Sequence, residues 1–390
     1  MLLCLKHAIA TTLLCSCNKE VDETGNITLP ERPISIYTAI QSEKTPTVSP
    51  KTRAPITGTD AVLEGITFYL WQSTSNTIDF SANPSSPSSY TGNRTTNNNG
   101  KISFNKGSQP VYDQKENKYA FLVGCWPNPT PASPANANSL TWDINGKTDI
   151  LISDLWYAGT YTNPIPGTKN DNSQTPTCLT FKHRLAQLEV FCKAAEEETL
   201  AEVQTTWGNI KSIELLDAYP QMNYDATKNE ITCTGKKQAI SLFKADYETA
   251  FEPTAIQAHT ATPSETATAT AAGMYAPSNL IVLRITTEGA TNSTTDDLIR
   301  TFAVQFVDKD GNNVDFVAGK KHTVNILFPS TLKYPQIAIT APESWTENNK
   351  TPADGLGGNQ SIDAKPENWN QNNNGTPVED GLGTGTAPTT

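Results

Sequence analysis

The chain has 390 residues and a formal net charge of −11, with 36% hydrophobic and 18% charged residues. That length implies two or three domains rather than one, and the acidic balance argues against nucleic acid as a partner. No apolar run reaches the roughly 18 residues that a membrane-spanning helix needs. Four His and three Met leave little for metal or redox chemistry, and a chain rich in Thr, Asn, Ser, Pro and Gly points to an all-β fold.

The first 17 residues, MLLCLKHAIATTLLCSC, read as an export signal. Lys6 and His7 precede a short apolar stretch, residues 8–14, which ends in small residues. The closing Leu14-Cys15-Ser16-Cys17 resembles a bacterial lipobox, which implies that Cys17 becomes the lipid-carrying first residue of the exported chain. Further on, Ile34, Ile36, Thr38 and Ile40 alternate with Ser35, Tyr37 and Ala39, a period of two and therefore one strand. Residues 42–60 revert to Ser, Thr, Pro and Lys, a linker composition that holds Lys51-Thr52-Arg53-Ala54-Pro55. A lone strand cut off from the rest by an exposed basic linker is an unusual arrangement.

Strand patterns then recur at residues 66–71, 101–105, 119–126 and 149–153, and in the long run 178–192. Residues 72–100 and 127–140 read as exposed loops. Strong helix formers without a breaker predict a short connecting helix over residues 194–203. Strands resume at 210–216, 230–232, 239–243, 279–286, 301–307, 314–317 and 322–328. Asp308-Lys309-Asp310-Gly311-Asn312-Asn313 predicts a hairpin turn; its Gly comes too early for a calcium loop and no bidentate Glu follows at the required spacing. Residues 259–272 form a low-complexity loop. Pro342-Glu343-Ser344-Trp345 is echoed by Pro366-Glu367-Asn368-Trp369, and Thr351-Pro352-Ala353-Asp354-Gly355-Leu356-Gly357 by residues 376–383. With almost no aliphatic residues, this duplicated tail reads as extended or disordered.

Reactive constellations are missing from the pattern. There is no G-x-S-x-G, no paired His spacing for a metal and no phosphate loop, so no catalytic residue, metal or cofactor is expected. Cys125, Cys178, Cys192 and Cys233 show no C-x-x-C spacing and sit in or beside apolar runs, which suits small core hydrophobes; a disulfide among them is not assignable. His183 stands among alternating residues and reads as structural. Trp126, Trp142, Trp156 and Tyr157 suggest a carbohydrate platform, although such rings in a sandwich more often pack its core or edge. No carboxylate pair among the 40 acids stands out for glycoside hydrolysis.

Several strings together resemble one family, the fimbrillin lipoproteins that build type V pili. Thr180-Phe181-Lys182-His183-Arg184-Leu185-Ala186-Gln187-Leu188-Glu189-Val190 resembles its F-x-H-x-L-A-Q-L-x-V strand. Phe316-Val317-Ala318-Gly319-Lys320-Lys321-His322-Thr323-Val324-Asn325-Ile326 resembles its A-G-K-x-Y-x-x-x-I strand, with His322 where Tyr is commoner, and residues 337–346 resemble its closing strand. Asp154-Leu155-Trp156-Tyr157-Ala158-Gly159 fits a further segment loosely. The resemblance implies an all-β chain of two tandem antiparallel β-sandwiches, transthyretin-like with Greek-key connections. They would follow a signal peptide (1–17) and a propeptide with a removable first strand (18–53), spanning 54–190 and 191–345, with the tail at 346–390.

By the same resemblance, a trypsin-like protease cuts at Arg53-Ala54 and frees the strand carrying Ile34, Ile36, Thr38 and Ile40. A strand of another pilus subunit then fills the groove. The implied location is the outer membrane and cell surface, through the lipid anchor, with a host or bacterial surface ligand for an adhesive end. The tail lies beyond the family's usual end and suggests a tip or accessory subunit or an added donor segment. The alternative is a surface glycan-binding lipoprotein that does not polymerise.

Overall fold

A computed structural model describes residues 20–21, 27–28, 30–40, 62–78, 87–95, 100–129, 139–165, 179–225, 228, 230–247, 249–259, 268–290, 297–308, 310–340, 342–344 and 360–362. Strands dominate, as the composition predicts, with one short helix among the described residues.

The N-terminal half builds an eight-stranded sheet. Its path runs from Thr38–Ile40 through Leu179–His183, Leu151–Ser153, Tyr119–Trp126, Leu63–Ser73 and Ser88–Arg94 to Ile102–Phe104, with Trp156–Gly159 added onto Tyr119–Trp126. The strand Tyr119–Trp126 is buried on both faces. Ala120 and Leu122 enter one core with Ile66, Phe68 and Leu70, while Phe121, Val123 and Cys125 enter a second core with Tyr69 and Trp71. A side-chain period of two delivers alternate residues to opposite faces, so a run such as Phe121-Leu122-Val123 is apolar throughout because both faces are dry.

The C-terminal half forms a sandwich of two sheets. In one, Ala186–Ala194 lies between Ala271–Tyr275 and Lys320–Phe328, followed by Gln336–Ile339 and the tail strand Gln360–Ile362. The other runs Gln238–Ser241, Asn209–Ala218, Ile281–Thr287, Leu298–Val304. Leu188, Val190 and Cys192 from the first face Ile213, Leu215 and Leu283 from the second in one core. Most pairings are antiparallel, but Ala186–Ala194 runs parallel to Lys320–Phe328, and Leu179–His183 parallel to Thr38–Ile40. A smaller sheet, Ser139–Asp143 with Gln221–Asp225 and Glu230–Thr234, draws strands from both halves and lids the second core through Leu140, Trp142, Met222 and Tyr224.

Three sequence expectations change. The run 178–192 is two strands in different sheets: Arg184 N–H bonds to Ile150 O and Gly319 N–H to Leu185 O, so the backbone changes partner sheets across Arg184 and Leu185. The helix is Leu200–Trp207 rather than 194–203, because Ala194 continues the buried alternation of its strand. Val203 and Trp207, one turn apart on the inner face, fix the helix where they are buried, and that burial outweighs the propensity of the preceding Ala and Glu. Strands Ser88–Arg94, Ser139–Asp143 and Ala271–Tyr275 arise at the ends of segments read as loops.

His322 is fully buried between Phe306 and Phe316, with ring centroids 4.7 and 4.6 Å away. Val317 N–H donates to its Nε2 at 3.4 Å. Burial pushes its pKa down to about 4, against the pull of nearby backbone carbonyls and with a further push from Lys320. The unfolded chain therefore takes up this proton first. The contribution is fully present above about pH 6.5 and is lost as pH falls through about 4, on the order of 3 kcal/mol in all. Urea unfolding at pH 7 and pH 4.5 should show this loss in the native chain and a smaller one in His322→Phe; equal slopes would contradict it.

Candidate functional site: the docked N-terminal segment

Without residues 33–40, the N-terminal strand path would end at Leu179–His183 and at Ile102–Phe104. Residues 33–40 lie between these two edges and pair on both sides. On one side Thr38, Ala39 and Ile40 oppose Leu179, Thr180 and Phe181 in parallel, and Leu179 N–H donates to Tyr37 O at 2.9 Å. On the other, Tyr37 bridges Lys101 and Pro33 bridges Val111, both antiparallel. Ile34 N–H donates to Pro110 O at 2.8 Å, Ile102 N–H to Ile36 O at 2.9 Å and Tyr112 N–H to Arg32 O at 3.1 Å. The segment thus closes the sheet into a ring.

Its side chains explain the sequence alternation. Ile34, Ile36, Thr38 and Ile40 are 2%, 1%, 5% and 3% exposed, while Ser35, Tyr37 and Ala39 are half-buried. The three isoleucines enter the core of Ile66, Phe68, Ile102, Leu122, Trp156 and Phe181. Burial of one such side chain is worth about 1.5–3 kcal/mol, so together they hold the segment by several kcal/mol before any hydrogen bond is considered. The polar member is satisfied: Thr38 Oγ1 donates to Gly100 O at 3.1 Å, and Thr38 N–H donates to the same oxygen at 2.8 Å.

Sequence patterning misses the other wall of the groove. Gly100 sits at φ +82°, and a Cβ there would lie 2.4 Å from Thr38 O. Only glycine combines that backbone shape with so close an approach. The one available signal is the Asn99-Gly100 pair at the end of a segment that otherwise reads as loop. Tyr112 supports the same wall, its hydroxyl donating to Ala158 O at 2.7 Å, and burial pushes that phenol up to about 12 despite Arg32 nearby. At the segment's start, Arg32 Nη1 donates to Tyr161 O at 2.7 Å and Tyr161 Oη to Pro30 O at 3.0 Å.

The remaining candidates separate from this site. Cys17, Arg53, Ala54 and Cys178 lie outside the described residues. Cys125, Cys192 and Cys233 are free thiols; burial pushes Cys192 up to about 12 and the other two upward as well, so none is poised as a thiolate. His183 is buried at its strand end, Nδ1 donating to Asp149 Oδ2 at 2.6 Å, while Asp149 Oδ1 accepts the Ile150 N–H. It reads as a structural His. Trp142 and Trp156 are buried, and the half-buried Trp126 donates through Nε1 to Glu64 O. The rings do not make one platform, although Tyr157 does pack with Tyr119 and Phe121.

Fold and groove define a class first: a β-sandwich protein whose N-terminal sheet is completed by a segment of the chain that precedes it. The fimbrillin-like family model matches residues 52–342, and the chain belongs to that family of fimbrial structural and adhesion proteins. Its members are cell-surface proteins of fimbriae. No curated protein matches the sequence. Among solved structures, one from Bacteroides uniformis, provisionally assigned to cell adhesion, is similar at 16% identity over 80% of this chain and 99% of that one, with a TM-score of 0.46. The tip fimbrial protein Mfa3 of Porphyromonas gingivalis is similar at 12% identity over 73% and 94%, TM-score 0.36. A protein of Bacteroides thetaiotaomicron described as polysaccharide binding gives 7% over 81% and 100%, TM-score 0.39.

Two substitutions test the groove as a structural unit. Ile36→Ala should cost about 2–5 kcal/mol in unfolding of the N-terminal sheet. Gly100→Ala should cost about 1–3 kcal/mol through its positive φ and should also loosen residues 33–40. Chemical denaturation of the full chain, followed by Trp fluorescence, measures both; changes below about 0.5 kcal/mol would refute the packing described.

Proposed function

We propose that the chain is a structural subunit or a tip or accessory adhesin of a fimbrillin pilus, not an enzyme, exported as a lipoprotein and matured by strand exchange. Cys17 carries the lipid anchor to the outer membrane. A trypsin-like protease cuts between Arg53 and Ala54, and the freed segment 18–53 leaves with its strand. A strand of another pilus subunit then enters the groove, and the two folded units remain, divided at Arg184 and Leu185, where the backbone changes sheets, rather than at residues 190–191 inside the strand Ala186–Ala194.

The observation that carries this reading is the docking of residues 33–40 between two sheet edges that pair with no other strand among the described residues. Main-chain hydrogen bonds and alternating apolar pockets are what β-strand addition uses. A further support is the family match, which begins at residue 52, within the linker that holds Arg53. An incoming strand replaces the same bonds and the same buried area, which makes the exchange close to neutral in free energy and its rate a matter of release.

Limited trypsin treatment tests the proposal. The first cut should fall in residues 44–53, and the cut chain, mixed with fimbrial subunits of its source cells, should form SDS-resistant oligomers that the uncut chain does not form. A cut chain that stays monomeric with every such subunit would refute strand exchange.

A further inference from the structure

We propose that the groove reads the sequence of the strand that fills it, that its third pocket selects a hydroxyl side chain, and that its mature occupant comes from a different chain rather than from residues 345–390 of another copy. This rests on the strand-exchange reading above.

The four inward positions are not equivalent. Three hold isoleucines against an apolar core, and the third in order, Thr38, faces a carbonyl. Gly100 O accepts both the N–H and the Oγ1 of Thr38, at 2.8 and 3.1 Å. That oxygen is held in place because Gly100 takes φ +82° and leaves no space for a side chain between the two backbones. A residue without a hydroxyl would still supply the N–H, but would set a methyl group against a buried acceptor whose second lone pair then has no partner. Ser or Thr fits and Val of the same shape does not.

Direction is specified as well. The occupant must run parallel to Leu179–His183 and antiparallel to residues 100–111. The groove therefore asks for apolar-x-apolar-x-Ser/Thr-x-apolar. Residues 345–390 contain no such run: their large apolar residues Trp345, Leu356, Ile362, Trp369, Val378 and Leu382 never stand two positions apart. The partner that fits is another pilus subunit carrying this pattern in a free strand.

Competition by peptides on the trypsin-cut full chain tests the proposal. The probes are fluorescent decapeptides: residues 31–40 as they stand, the same with Thr38→Ser, the same with Thr38→Val, and residues 356–365 of the tail. The native and Ser peptides should displace the bound segment with affinities within about threefold of each other. The Val peptide should be weaker by about fivefold, as loss of one hydrogen bond implies, and the tail peptide should not compete. A Val peptide that binds as well as the native one overturns the hydroxyl pocket, and a tail peptide that competes overturns the choice of partner. If the native peptide itself never enters the groove, strand exchange falls, and this proposal with it.

Discussion

A β-sheet that stops leaves a row of unpaired N–H and C=O groups at each edge, and a protein must cover them or bind something there. The N-terminal sheet of this chain has its two edges at Leu179–His183 and at residues 100–112, and residues 33–40 satisfy both at once. Everything else about that half depends on this double pairing. The core of Ile66, Phe68, Leu122 and Phe181 is sealed on the open side by Ile34, Ile36 and Ile40. Because the bonds are main-chain bonds, they do not depend on the side chains of the segment, and specificity is left to the four inward positions.

The rest of the molecule supports the groove from positions that the docked segment does not occupy. Strands Leu63–Ser73 and Tyr119–Trp126 carry the core under the groove on one face and a second core on the other. That second core also takes Leu140, Trp142, Met222, Tyr224 and Met274 from the lidding sheet and the strand Ala271–Tyr275. The strands that form the groove floor are therefore anchored from behind by residues that the docked segment never touches. The C-terminal sandwich has its own core.

How much of this was readable in the sequence depends on which force decides each element. The docked segment was legible because one buried face and one half-exposed face write a period of two, and the strand Tyr119–Trp126 because both faces are dry. The split of residues 178–192 was not legible: alternation carries on through Arg184 and Leu185, and only the choice of neighbouring backbone separates the sheets. The helix was displaced because the burial of Val203 and Trp207, a tertiary property, outweighs local propensity. Of the site, the strand was visible and its receptor was not. Gly100, Tyr112 and Leu179 are far apart in sequence and become a groove only through long-range pairing. The resemblance to fimbrillins, resting on residues 180–190 and 316–326, agrees with the family match over residues 52–342.

The proposal of strand exchange needs residues 33–40 to hold two sheet edges closed and to leave once the chain is cut. Amide hydrogen exchange at Ile102, Tyr112 and Leu179, whose N–H groups bond to Ile36, Arg32 and Tyr37, measures it directly. The account predicts strong protection in the intact chain and fast exchange at these three amides once the cut segment is released, while Leu188 and Val190 in the C-terminal sandwich stay protected. Unchanged protection at Ile102, Tyr112 and Leu179 after release would contradict it.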